Sequence, residues 1–181
     1  MIFTALLLSF NSCKDDDDDD DVGPSNATEY VVNGNTVTVT DHGLGTGDYT
    51  WTADKVWILN GFVFVNDGQT LTIEPGTVIK GKPGEGENAS ALIVARGGKI
   101  MAEGTANNPI IFTAEADDLQ GSVPILDRGL WGGLLILGHG ILNTIPDKMN
   151  IEGIPTTEPR GEYGGTNNND NSGVLRYVSI R

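Results

Sequence analysis

Residues 62–81, FVFVNDGQTLTIEPGTVIKG, and residues 91–114, ALIVARGGKIMAEGTANNPIIFTA, are two copies of one pattern. With Val65 set against Val94, Gly68 falls on Gly97, Leu71 on Ile100 and Ile73 on Ala102, each pair 29 residues apart. Glu74-Pro75-Gly76-Thr77 then matches Glu103-Gly104-Thr105 after one deletion, and both copies run on into apolar residues, Val78-Ile79 and Ile110-Ile111-Phe112. The shared order is strand, glycine turn, strand, Gly-Thr turn, strand. A unit of this size cannot bury its apolar side chains alone and must stack on its neighbours.

Weaker copies follow at LLILGHGILN, residues 134–143, and VLRYVSIR, residues 174–181. Glycine supplies 25 of 181 residues, roughly double the usual share of about 7%, which suits many tight turns. No window holds a helical period. The expected fold class is therefore all-β, a parallel β-helix in which three short strands make each winding. A β-sandwich stays open as a second reading, because Asn66-Asp67-Gly68 has the composition of a hairpin turn.

Residues 55–181 are read as β-helix windings and residues 31–54 as a cap or leading strand. The alternating Val37-Thr38-Val39-Thr40 supplies that strand. Residues 144–172 read as a polar insertion. Residues 13–30 read as a disordered acidic tether, dominated by the seven consecutive aspartates Asp15 to Asp21. That run is a solvated, self-repelling spacer or, on a second reading, a calcium-binding tract.

Residues 1–12, MIFTALLLSFNS, hold an apolar stretch too short for a bilayer-spanning helix, which takes about 20 residues. It fits the core of a secretion signal. The basic residues that normally precede such a core are absent, so the expectation is a true start upstream of Met1. The net charge of −14 argues against nucleic acid, whose phosphates call for a lysine and arginine surplus. The single Cys13 excludes an internal disulfide, and only two histidines, His42 and His139, are present.

Ser12-Cys13 after an apolar core resembles the lipobox of bacterial lipoproteins, although Phe10-Asn11 departs from its usual residues. The following Lys14, Asp15 and Asp16 resemble the surface-export signal of Bacteroidota lipoproteins. Leu71 to Ile79, Trp131 to Gly138 and Asp170 to Val178 are similar to a family of Bacteroidota surface lipoproteins with right-handed β-helix repeats. The resemblance implies acylation of Cys13, partnership with outer-membrane lipid through that anchor, and display at the cell surface. It also implies that such chains continue for more windings. Val174 to Arg181 alternate with no polar cap behind them, and the expectation is a fold incomplete at its C-terminal end.

Two functions are consistent with these residues. One is a non-enzymatic surface protein serving adhesion, binding a glycan or extracellular matrix, or playing a structural role. The other is a polysaccharide lyase or hydrolase of β-helix fold whose active site lies in further windings. For the enzyme, carboxylates should face one another across a cleft. Asp117, Asp118 and Asp127, with Glu115 and Arg128 nearby, are the candidates, and the same aspartates are the candidate calcium ligands. The alternative for them is a solvated loop. No other cofactor is expected. Trp131 before Gly132-Gly133 is a candidate sugar-stacking surface or a corner tryptophan. Asn169 and Asp170, within Asn167 to Asn171, are candidate calcium or glycan contacts through their oxygens. His139 reads as a solvent-exposed turn residue, and Trp51 and Trp57 as the cover of the N-terminal end.

Overall fold

The computed structural model describes residues 27–181. The expected signal at 1–12, the candidate acyl site Cys13, the candidate export residues Lys14, Asp15 and Asp16 and most of the expected tether lie outside the described residues.

The apolar-polar alternation of the repeats becomes strands with one face inward. β1 (Glu29–Asn33) begins two residues inside the stretch assigned to the tether and pairs antiparallel with β2 (Thr36–Thr40). Then come β3 (Tyr49–Trp51), β4 (Val56–Leu59), β5 (Phe62–Val65), β6 (Thr70–Ile73), β7 (Val78–Gly81), β8 (Ala91–Val94), β9 (Lys99–Glu103) and β10 (Ile110–Ala114). β11 (Gly133–Ile136), β12 (Lys148–Asn150), β13 (Glu162–Gly164), β14 (Gly173–Arg176) and β15 (Val178–Ile180) complete the order. Among the described residues no helix is long and apolar enough to cross a membrane.

Every third strand returns to the same sheet. The three sheets run β1-β2-β4-β7-β10-β15, β5-β8-β11 and β3-β6-β9-β14, and all their pairings except β1–β2 are parallel. A sandwich built from hairpins would pair antiparallel, so that reading is excluded. Asn66-Asp67-Gly68 is a corner between sheets, where Gly68 at φ +78° donates its N–H to the carbonyl of Gly97, itself at φ +80°.

The register matches the sequence alignment: Val65 lies beside Val94, Leu71 beside Ile100 and Ile73 beside Ala102. The two weak copies belong largely to one winding. Leu134–Ile136 stack on Leu92–Val94, and Val174–Arg176 stack on Met101–Glu103, with the 144–172 insertion between them.

Parallel register places like on like through the interior. In the first sheet Val37, Trp57, Ile79, Phe112 and Ile180 form one column; in the third, Trp51, Ile73, Ala102 and Leu175 form another. These columns and their neighbours make the main core. At its N-terminal end Trp51 and Trp57 stack 5.1 Å apart, with Tyr30 and Tyr49 stacked beside them at 4.5 Å. At the other end the inward-facing Leu175 and Ile180 stay 43% and 53% exposed.

The middle sheet is apolar on its outer face as well. Phe62, Phe64, Ala91, Ile93 and Leu135 join a second cluster, completed by Ile151, Ile154 and Tyr163 from the insertion. The insertion is thus a folded strap, with β12 and β13 paired antiparallel and Ile154 buried against the sheet.

Candidate functional site

The loop between β10 and β11 is thrown out from the windings because Asp117 and Asp118 bend the chain at its root. Asp117 accepts hydrogen bonds from the Thr113 hydroxyl (2.7 Å) and the Leu119 N–H (2.8 Å). Asp118 accepts from the N–H groups of Gln120 (2.8 Å) and Ser122 (3.4 Å). These bonds favour the charged form and hold both carboxyls below the ordinary aspartate value, the Thr113 bond leading for Asp117 and the Gln120 bond for Asp118.

The loop and the end of β15 enclose a groove of about 650 Å³. Asp117, Asp127, Arg128, Trp131, Ile180 and Arg181 all line it, so three of the sequence candidates converge there; Asp118 does not line it. The Trp131 ring lies over Gly81, where an added Cβ would come within 2.7 Å of the tryptophan Cβ. Its indole N–H donates to the Arg181 carbonyl (2.8 Å). The tryptophan therefore serves both readings: it packs against the main core and presents surface to the groove. Val123, Pro124 and Ile125 add apolar wall, with Ile125 95% exposed. An aromatic surface edged by a carboxylate and two guanidinium groups can stack a pyranose ring and hydrogen-bond its hydroxyls.

Among the described residues no three His, Cys, Asp or Glu side chains gather into a metal-binding group. The hydrogen bonds of Asp117 and Asp118 are satisfied by the chain itself. Chelation with EDTA is therefore expected to leave the thermal midpoint unchanged; a midpoint that drops with EDTA and returns with calcium would contradict this account of the loop.

Asn169 and Asp170 lie elsewhere. Asn169 is exposed and donates its N–H to Asn167 Oδ1. Asp170 accepts from the His139 N–H at 2.7 Å and sits 3.5 Å from His139 Nδ1. The His139 backbone bond chiefly lowers the Asp170 pKa. His139 is thus a half-buried anchor, in place of the solvent-exposed turn residue expected from sequence.

The strap carries the charged residues that sequence reading missed. Arg160 lies within the 3-10 turn Pro159–Gly161 and reaches Asp41 (2.7 Å) and Glu158 (2.6 Å), with its guanidinium carbon 3.9 Å from the Phe64 ring centroid. The Asp41 side chain is 0% exposed and also accepts from the N–H groups of Gly43, Gly45 and Phe64. Arg96 pairs with Glu162 and donates to the Gly164 carbonyl. No local sequence pattern marks these partners, because Asp41 and Arg160 lie 119 residues apart.

The Arg160 hydrogen bond is the main cause that holds Glu158 below its ordinary 4.5. A folded-state value below the unfolded one means full stabilisation at neutral pH, lost as pH falls below 4.5 and through the lowered folded value. Hydrogen-exchange protection of residues 148–164, corrected for intrinsic rate, should decline as pH falls below 4.5. A flat profile would contradict the Glu158–Arg160 pair as a tie that latches the strap down.

No curated protein and no solved structure matches the chain. One family does, over a span that takes in β3 to β15 and every lining residue of the groove. Parallel strands recurring in three sheets, stacked apolar columns and glycine corners agree with it: the chain belongs to the family of pectate-lyase-like β-helix domains, which matches residues 43–181.

Proposed function

We propose that the protein is a lipid-anchored cell-surface β-helix protein that binds glycan without cleaving it, through the Trp131 groove. The observation that carries this is the groove itself, an aromatic face over Gly81 edged by Asp127, Arg128 and Arg181. The anchor rests on Ser12-Cys13-Lys14-Asp15-Asp16 and the apolar stretch before it. The same reading has the windings right-handed, as connections between parallel strands almost always are.

A second reading, a polysaccharide lyase or hydrolase, is favoured by the family. Against it, Asp117 and Asp118 are committed to hydrogen bonds within the loop, which lowers their pKa and makes them poor proton donors at neutral pH.

Calorimetry and product analysis against a panel of neutral and acidic polysaccharides test both. Binding that weakens about tenfold in Trp131→Ala, with no new reducing or unsaturated ends, is the expected result. Release of such ends would overturn the non-enzymatic reading. Cys13→Ala should abolish fatty-acid labelling and membrane association; retained labelling would refute the anchor.

A further inference from the structure

A second surface, along the edge of the strap that covers the middle sheet, carries its own recognition chemistry. Between the turn preceding β8 and the strap runs a trench floored by Phe62. Two cavities of about 370 and 210 Å³ open on it, and Phe62 lines both. Glu87 lines the larger and Glu152 the smaller. Both carboxylates are exposed, and neither has a cationic partner among the described residues.

The neighbouring ring shows what such a place accepts. Arg160 sits over Phe64 at 3.9 Å, with the Asp41 and Glu158 carboxylates on its nitrogens. Phe62 is edge-on to Phe64, 6.5 Å between centroids. Arg160 lines the larger cavity too, but its charge is taken up by Asp41 and Glu158, which leaves Glu87 and Glu152 as the unpaired charges on the walls around Phe62. A cation over an aromatic face is attracted by the ring's electron-rich face, and acidic neighbours add to that attraction.

We propose that this trench binds an amino-sugar oligomer in its protonated form, one pyranose lying on Phe62 and its ammonium group directed to Glu87 and Glu152. Gly61, Gly86, Gly132 and Gly153 line the two cavities, and their lack of side chains leaves room for a pyranose chair. The proposal rests on the reading of the chain as a glycan binder but uses a surface separate from the Trp131 groove, so the two fail independently.

The test is calorimetry with glucosamine hexamer and with its N-acetylated counterpart, which keeps the rings and loses the charge. The glucosamine hexamer should bind at least about tenfold more tightly. Glu87→Gln combined with Glu152→Gln should weaken it about tenfold without changing the thermal midpoint, since both side chains are exposed and unpaired. Phe62→Ala should weaken both hexamers, and Trp131→Ala should leave them unchanged. Equal affinity for the two hexamers, no binding of the charged one, or indifference to the paired glutamine substitutions would overturn the proposal. Hexalysine binding more tightly than the sugar would overturn the choice of a sugar.

Discussion

Phe112→Ala is expected to cost about 3–5 kcal/mol of stability, seen as a lower urea midpoint with an unchanged slope. Phe112 is fully buried in the fourth tier of the column Val37, Trp57, Ile79, Phe112 and Ile180. Its loss removes contacts with both neighbouring windings. Parallel register gives the cavity no other side chain to fill it, because the adjacent tiers are fixed by ladder hydrogen bonds. Ile180→Ala, in the same column but half exposed, should cost well under half as much. Equal losses at the two positions would mean that the column is not the source of stability.

The second large effect is expected at the strap. Arg160→Ala leaves the Asp41 carboxylate buried without its cation, a change that costs about 3–5 kcal/mol in closed structures. The strap can escape part of that cost by lifting, which admits water to Asp41. The expected outcome is therefore a sharp loss of hydrogen-exchange protection over residues 148–164, with little change in β6, β9 or β10. Asp41→Asn combined with Arg160→Met removes both charges and should be milder than Arg160→Ala, because no buried charge is stranded. A combined variant that is as disrupted as the sum of its parts would show that the ion pair is not the latch.

The repeat was legible because stacking demands it. An inward residue in one winding must meet an inward residue in the next, so apolar types recur in step where two windings have turns of equal length, and the Val65–Val94 and Leu71–Ile100 pairs recovered the register. The third winding was harder to read because the insertion separates β11 from β14 and splits one unit into two apparent copies.

The strap was read as polar insertion because only Ile151, Ile154 and Tyr163 anchor it to the sheet, too few to make a periodic pattern. Its counterpart did leave a trace. FVFV in β5 and ALIV in β8 are unbroken apolar runs, while TVTVT in β2 and TLTI in β6 alternate. A strand buried on both faces reads as the former, so the runs themselves indicate a covered outer face.

The groove was half legible. Asp117, Asp127 and Trp131 lie close in sequence, and their convergence follows from the loop. The roles of Gly81 and Arg181 depend on the register of β7 and on β15, which no local pattern supplies.

Windings of parallel strands stack in register, and one crosslink reports on that stacking. Thr72 and Met101 are register partners on β6 and β9. Parallel neighbours lie about 4.8 Å apart, within disulfide reach. In a Cys13→Ser background, Thr72→Cys with Met101→Cys should oxidise rapidly to an intramolecular disulfide in the folded protein. A folded double variant in which both thiols stay free under the same oxidant would contradict the stacked-winding account.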